Sequence, residues 1–210
     1  MKIAVLGASG RTGAHVVKQG LERGHEIRGV ARNVDLISTG EPNLTPIPAD
    51  VLDAERVREA LAGCEAVIST LGVGTGRAPT ELYSRGIANT LDALHASGGA
   101  KLAVVSAAPV GPRGEQAALE RWILMPVLDR LFGATYRDMR RMETILHDSA
   151  ADWIVLRPPR LVQKDPTGAY RLGSRPLPKG RAITCPDLAE ALLDVIENPQ
   201  YRRQALYVAN

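Results

Sequence analysis

The sequence predicts an α/β fold, a doubly wound parallel sheet with helices on both faces. Three observations point there. Short, nearly continuous apolar runs alternate with longer segments of helical period almost from end to end, the pattern of parallel strands buried on both sides. A glycine-rich turn, GASGRTG at residues 7–13, sits where the first run gives way to the first helical pattern. No Pro-, Gly- or Ser-rich linker sets off a second unit, so the 210 residues read as one domain, 1–210.

The first strand is Lys2–Gly7, built on Ile3, Ala4, Val5 and Leu6. Helix Thr12–Arg23 follows the glycine turn. Strands Glu26–Ala31 and Thr45–Pro48 come next. Helix Ala54–Ala62 leads to strand Ala66–Leu71, and helix Thr80–Ser97 to strand Leu102–Ser106. Helix Ala134–Ser149 leads to strand Trp153–Leu156, and helix Pro186–Glu197 to a last strand, Ala205–Val208. Segments 107–133 and 160–183 read as irregular and rich in Pro and Gly. In such a sheet ligands bind beyond the carboxyl ends of the strands, and loops there carry function. The substrate crevice is therefore expected between 107–133 and 158–183, the latter a small C-terminal appendage over it.

Composition narrows the function classes. With 45% hydrophobic residues the chain can bury a real core. No apolar run approaches the roughly 18–20 residues of a membrane span, and the short N-terminal run, ending in glycines, does not read as a signal peptide. Cys64 and Cys185 form neither a metal spacing nor a disulfide framework, which favours a reduced, cytoplasmic setting. The four histidines are scattered, and no metal site is expected. A net charge of +3 is too mild to announce nucleic-acid binding. Arg137, Arg140 and Arg141 fall at helical spacing amid Asp138 and Glu143, as on a solvated helix face. A weakly basic surface suits small anionic ligands such as phosphates.

GASGRTG has the setting a phosphate-binding turn requires: a strand before it and a helix after it. Glycine permits positive φ and close backbone approach. A helix N-terminus beside such a turn suits a pyrophosphate. The spacing is GxxGxxG, and there is no Gly-Lys-Ser/Thr for a P-loop. Gly7, Ser9, Gly10, Arg11, Thr12 and Gly13 are the expected contacts, in a Rossmann-like NAD(P)-binding domain. An NAD site wants an acidic residue about 20 residues further on, at the end of the second strand. Arg32 stands there instead, and arginine grips phosphate through paired donors. The expected cofactor is NADP(H), with Arg32 on the 2′-phosphate and Arg11 flanking it, unless Arg32 is only a surface charge. Asp50 is expected either at the adenine amino group or as the N-cap of the helix near Ala54. Thr70, Leu71 and Gly72 end the fourth strand, where small residues let a cofactor lie against the backbone.

Taken together, GASGRTG, ARN, ADVLD, AVISTLG, VVSAAP and WIVLRPPRL resemble the atypical short-chain dehydrogenase/reductase superfamily in its NmrA-like branch. LAGCEAVISTLG and PPRLVQKDPTGAY are most similar to the biliverdin-IXβ reductase family, the NADPH-dependent flavin reductases. The likeness runs along nearly the whole chain in order. It implies a monomer or weak homodimer that binds NADPH and passes hydride to a flavin or another planar conjugated acceptor. It further implies that Asp50 and Val51 line the adenine site, that Ser106 lies beside the nicotinamide or substrate, and that Pro158 and Pro159 pack near the nicotinamide. Three departures surround the acceptor. Arg160 replaces the family's histidine, residues 112–133 are longer and more apolar, and Val73-Gly74 stand where the family has an arginine.

Many short-chain dehydrogenases use a YxxxK pair, whose lysine lowers the tyrosine pKa. Here Tyr136 and Arg140 form YxxxR. Tyr136 is a candidate catalyst or merely an amphipathic tyrosine near a helix start. Ser106 is a candidate contact in the crevice, or a hydroxyl satisfied by local backbone. Arg160 is a candidate clamp for a carboxylate or phosphate, or an exposed loop arginine. Trp122, Ile123, Leu124, Val127, Leu128, Leu131 and Phe132 are expected first as core packing, otherwise as a lid or dimer face. The missing Tyr–Lys pair favours a flavin-like or quinone-like acceptor over a ketone, because the cofactor then carries the chemistry and the protein supplies position. It also admits a non-catalytic NADP(H)-binding redox sensor with a protein partner. A nucleotide-sugar epimerase or dehydratase ranks last, since 160–186 is too short for its substrate domain.

Overall fold

The computed structural model describes residues 1–37, 40–74, 78–112, 114 and 125–210. Strands β1 (Lys2–Leu6), β2 (Glu26–Ala31), β3 (Leu44–Pro48), β4 (Ala66–Ser69), β5 (Lys101–Val105) and β6 (Trp153–Arg157) come first along the chain. Three short strands, β7 (Arg160–Val162), β8 (Arg171–Gly173) and β9 (Ala182–Thr184), precede β10 (Gln204–Ala209). The main sheet has the order β3-β2-β1-β4-β5-β6-β10-β8. All its pairings are parallel except β8 on β10. From β1 the chain moves outward to β2 and β3, then crosses back to β4. Leu6 thus lies opposite Val30 on one side and Ser69 on the other. The winding reverses at this border, where a crevice opens above the strand ends.

Side-chain alternation divides the core in two. Ile3 and Val5 join the layer under α1 (Arg11–Glu22) and α5 (Cys185–Glu197). Ala4 and Leu6 join the layer under α2 (Ala54–Leu61), α3 (Leu82–Ala96) and α4 (Met125–Asp148). Ile3, Leu6, Ile27, Ile68, Leu102, Ile154 and Leu156 are fully buried. Truncating one to alanine removes contacts worth about 2–5 kcal/mol. The doubly wound α/β sheet is therefore as the apolar runs predict.

Several boundaries differ. β4 stops at Ser69, short of Leu71, and α3 begins at Leu82. The segment 160–183 is not simply irregular: β7 and β9 pair as a small parallel sheet, and β8 closes the border of the main one. Strands of three residues are too short for periodicity to reveal. α4 starts at Met125 rather than Ala134. Pro126 fits the first helical turn, where no N–H is required, and Gly133 is carried inside the helix. Core packing fails as an expectation for Val127 and Leu131, which are 52% and 38% exposed. Trp122, Ile123 and Leu124 lie outside the described residues. Arg137 and Arg141 are exposed as expected, but the face is not solvated throughout: Asp138 is buried, and Arg140 and Glu143 are half-buried.

At the opposite border β3 carries Pro46 and Pro48. Proline donates nothing, so β3 bonds β2 through its other residues, and the prolines point their nitrogens outward.

Candidate cofactor and active site

The glycine turn is held on three sides. Gly7 has φ +81°, the left-handed region that favours glycine. The N–H groups of Gly7 and Ala8 both donate to the Val30 carbonyl, at 3.0 and 3.1 Å. Gly10 N–H donates back to the Gly7 carbonyl at 2.9 Å. A Cβ on Gly13 would lie 2.1 Å from that same carbonyl oxygen, and one on Gly10 3.1 Å from it. The GxxGxxG spacing thus lets the turn fold onto the first turn of α1. Thr70 Oγ1 donates within reach of the carbonyls of Leu6 (3.0 Å) and Gly7 (3.3 Å). Thr70 is therefore a brace for the turn, beyond being a small residue. Leu71 packs toward α3, and Gly72 is exposed with open space around it.

α1 opens without help. Gly10 is its N-cap, no side chain caps it, and its first turn carries no acid. Such an end presents N–H groups and the positive pole of the helix dipole. Ser9 is half-buried and Thr12 buried in this turn. Arg11 is exposed, and Arg32, directly after β2, is exposed as well. Neither makes a side-chain hydrogen bond or ion pair among the described residues. Their pairing with an outside anion costs no internal partner. His15, one turn beyond Arg11, joins Gln163, Lys164, Asp165 and Pro186 around an open cavity of about 430 Å³.

Asp50 does not cap α2. Asp53 does, accepting from Glu55 and Arg56 N–H at 3.1 Å each. Asp50 instead accepts the Leu52 N–H at 3.0 Å, fixing a turn at the end of β3. Val51 is 6% exposed, and its side chain packs against α3 beside Gly86. Its carbonyl accepts from Asn89 at 2.8 Å. Asn89 was not expected, because its partner lies 38 residues away. Val51 therefore serves as the floor of this turn.

At the other end of the crevice Ser106 follows β5. Its N–H donates to the Leu156 carbonyl at 2.8 Å. Its hydroxyl is buried with no hydrogen-bond partner, so local backbone does not satisfy it. Pro158 is buried and its carbonyl accepts the Ala108 N–H at 2.8 Å; Pro159 is half-buried. Arg160 is exposed at the start of β7.

Tyr136 is half-buried on α4. Burial pushes its phenol pKa up and Asp129 adds to the rise, so the opposing charge of Arg140 does not prevail. Arg140 donates to the Pro109 carbonyl at 3.2 Å and lies 3.8 Å from Asp129. A proton relay of the YxxxK kind needs a lowered phenol, and this arrangement gives the reverse. Arg157, at the end of β6, forms a two-point pair with Glu143 of α4 at 2.6 and 3.2 Å and lies over the Tyr207 ring. That pair clamps α4 to the sheet beside Ser106.

The PTGAY stretch is an anchor. Asp187, with no exposed surface, accepts from Thr167 and Gly168 N–H and from the Thr167 and Thr184 hydroxyls. The Tyr170 hydroxyl bonds Asp194. This network pins the segment beyond β7 onto α5.

A cradle that closes only with glycine, an uncapped helix end, two free arginines and an orphaned buried hydroxyl together fit a dinucleotide. No helix among the described residues is long and apolar enough to cross a membrane. The chain is similar to an uncharacterized chloroplastic protein of Arabidopsis thaliana, with 29% identity over 80% of this chain and 61% of that protein. It is similar to the uncharacterized protein YwnB of Bacillus subtilis at 26% identity, over 100% of this chain and 99% of that protein. In fold it is similar to the anaerobillin reductase ChuY of Escherichia coli, with a TM-score of 0.82 and 20% identity, over 100% of this chain and 97% of that one. Since the NAD(P)H-binding family matches residues 7–199, the chain belongs to that family, whose Rossmann-like fold it carries.

Proposed function

We propose that the chain is an NADPH-dependent reductase that passes hydride to a flavin-like, quinone-like or other planar conjugated acceptor. The observation that carries the cofactor preference is Arg32: exposed, without a side-chain partner among the described residues, and directly after β2, where an NAD site carries an acid. Gly7, Ser9, Gly10, Arg11, Thr12 and Gly13 would hold the pyrophosphate, Arg32 the 2′-phosphate, Asp50 and Val51 the adenine, and Pro158 and Pro159 the nicotinamide. When bound, the nicotinamide supplies the hydride. The protein's own part is to bind, orient and exclude water. Ser106 offers one hydrogen bond beside the reacting groups, and Arg160 a positive charge for an acidic substituent of the acceptor.

The raised Tyr136 phenol supports an acceptor whose reduction needs no tyrosinate. The anaerobillin reductase ChuY, similar in fold, is named as a reductase, which agrees with a reductase reading. The same phenol favours a second reading, an NADP(H)-binding redox sensor without turnover. The experiment follows the nicotinamide absorbance of NADPH while FMN, riboflavin, a quinone and biliverdin are added in turn. Oxidation well above background with one of them is expected. Tight NADPH binding with no oxidation by any acceptor overturns the reductase and leaves the sensor.

A further inference from the structure

Charge is spread unevenly along this chain. Residues 160–183 carry six cations (Arg160, Lys164, Arg171, Arg175, Lys179 and Arg181) against one acid, Asp165, while the whole chain is only +3. The remainder is therefore slightly negative in sum. All six cations are exposed. α4 shows the contrast: its arginines at 130, 137, 140 and 141 are matched by Asp129, Asp138, Glu143 and Asp148.

The fold gathers most of these cations at one border of the sheet. Arg160 opens β7 just beyond the carboxyl end of β6, opposite Ala182, the neighbour of Arg181. Arg171 opens β8, opposite Ala209 at the carboxyl end of β10. Its guanidinium donates to the Pro178 and Asn210 carbonyls at 3.1 Å each, which pins the turn carrying Arg175 and Lys179 to the sheet. The Arg181 N–H closes back on the Lys179 carbonyl at 3.0 Å. Lys164 and Asp165 lie apart from this group, lining the cavity beside His15. Arg160, Arg175, Lys179 and Arg181 make no side-chain hydrogen bond or ion pair among the described residues.

Backbone strain marks the same turn. Lys179 has φ +59°, the left-handed region that suits glycine and strains a lysine. Such strain in an ordered turn points to a use for the side chain. The turn is stiff as well, with Pro176 and Pro178 on either side of Leu177, which sits against Gly173 and Gly180.

Size and chemistry choose the occupant. From β6 across β10 to β8 is two strand spacings, about 10 Å, and the side chains reach further, so the border is wider than one small anion. No large apolar side chain is exposed in 160–183, so nothing there anchors in lipid. Tyr170, its one aromatic residue, is half-buried with its hydroxyl on Asp194, which leaves no platform for stacked bases. Carboxylates suit the paired donors of arginine. We infer that the basic border formed by Arg160, Arg175, Lys179 and Arg181 docks an acidic polypeptide segment of a partner protein at the mouth of the crevice. A stiff turn keeps the ordering cost low. Without an apolar anchor the association is weak, fast and sensitive to salt. Turnover of NADPH is not required for it.

The test titrates the protein against a fluorescein-labelled peptide of about eight glutamates, which at about 3.3 Å per residue spans the border, and reads anisotropy. Two variants carry the same change in charge: Arg175→Glu/Lys179→Glu/Arg181→Glu on the border, and Arg130→Glu/Arg137→Glu/Arg141→Glu on α4. The border variant is expected to lose about tenfold or more in peptide affinity and the α4 variant less than about twofold. Both are expected to stay folded by circular dichroism and to keep the wild-type NADPH affinity. Wild-type affinity for the peptide should fall several-fold between about 50 and 200 mM salt. Lys179→Gly, which relieves the turn, is expected to weaken the peptide while holding or raising the melting temperature. Equal losses in the two triple variants would assign the binding to overall charge and overturn the inference. A wild type that binds no peptide at about 50 mM salt overturns it too. Tighter binding of a short DNA duplex or of phosphatidylserine vesicles, lost in the border variant, gives the border to another class of partner and likewise overturns it.

Discussion

The Asp187 carboxylate, at the start of α5, accepts both the backbone N–H and the hydroxyl of Thr167. Burial alone would raise its pKa, but the bonds from Thr184, Thr167 and Asn210 prevail and hold it below the ordinary carboxylate value. The charged form is thus favoured by folding. Asp187→Asn is expected to cost about 1.5–3 kcal/mol of stability at neutral pH, read from urea midpoints. A group with a lowered folded pKa contributes fully above its unfolded value, about 3.9, and loses that contribution as pH falls through the folded value. The gap between wild type and variant should therefore narrow below about pH 4. A gap that widens on acidification contradicts the assignment.

Arg32→Ala is expected to weaken NADPH by about 1.5–3 kcal/mol, the worth of lost charge-assisted bonds, and NADH much less. Titration of both cofactors by protein fluorescence checks it. Equal loss for the two would remove Arg32 from the 2′-phosphate.

Gly13→Ala is expected to abolish binding of both cofactors, because the new methyl group would sit 2.1 Å from the Gly7 carbonyl oxygen and push the turn open. Titration of NADPH and NADH into the variant, after circular dichroism has shown it folded, checks this, and an unchanged Kd for either cofactor would contradict it.

Tyr136→Phe is expected to leave reduction of a flavin acceptor nearly intact, within about threefold, or 0.7 kcal/mol. The pH profile of kcat should likewise lack a limb that disappears in the variant. A hundredfold drop would mean that the phenol takes part in spite of its raised pKa.

Much of this molecule is legible in its sequence, and the reasons are physical. Central strands buried on both faces must be almost wholly apolar, so β1, β4, β5 and β6 announce themselves, and β2 does so less cleanly, with Arg28 inside it. GASGRTG is readable because a turn that folds onto a helix tolerates no side chains at three fixed positions. What escapes is whatever depends on distant partners. Asp187 looks like any first-turn acid until Thr167 and Asn210 arrive beside it. Asn89 supports Val51 across 38 residues, and Thr70 braces a turn more than sixty positions earlier. Asp50 and Asp53 are equally good caps on paper, and only the path of the chain into α2 chooses Asp53. Tyr136 and Arg140 have a suggestive spacing, yet burial and the pull of Pro109 and Asp129 decide what that pair can do.

Pro46 and Pro48 have a consequence for how copies of this chain meet. Every long parallel sheet must end somewhere, and an unfinished border invites a second sheet to continue it. Along β3 the outward positions offer carbonyls but, at these two residues, no hydrogens to give. An incoming strand would find its acceptors opposite Pro46 and Pro48 unanswered, and the Leu44 N–H already donates to the Glu41 carbonyl. Self-association by sheet continuation is closed off on that side.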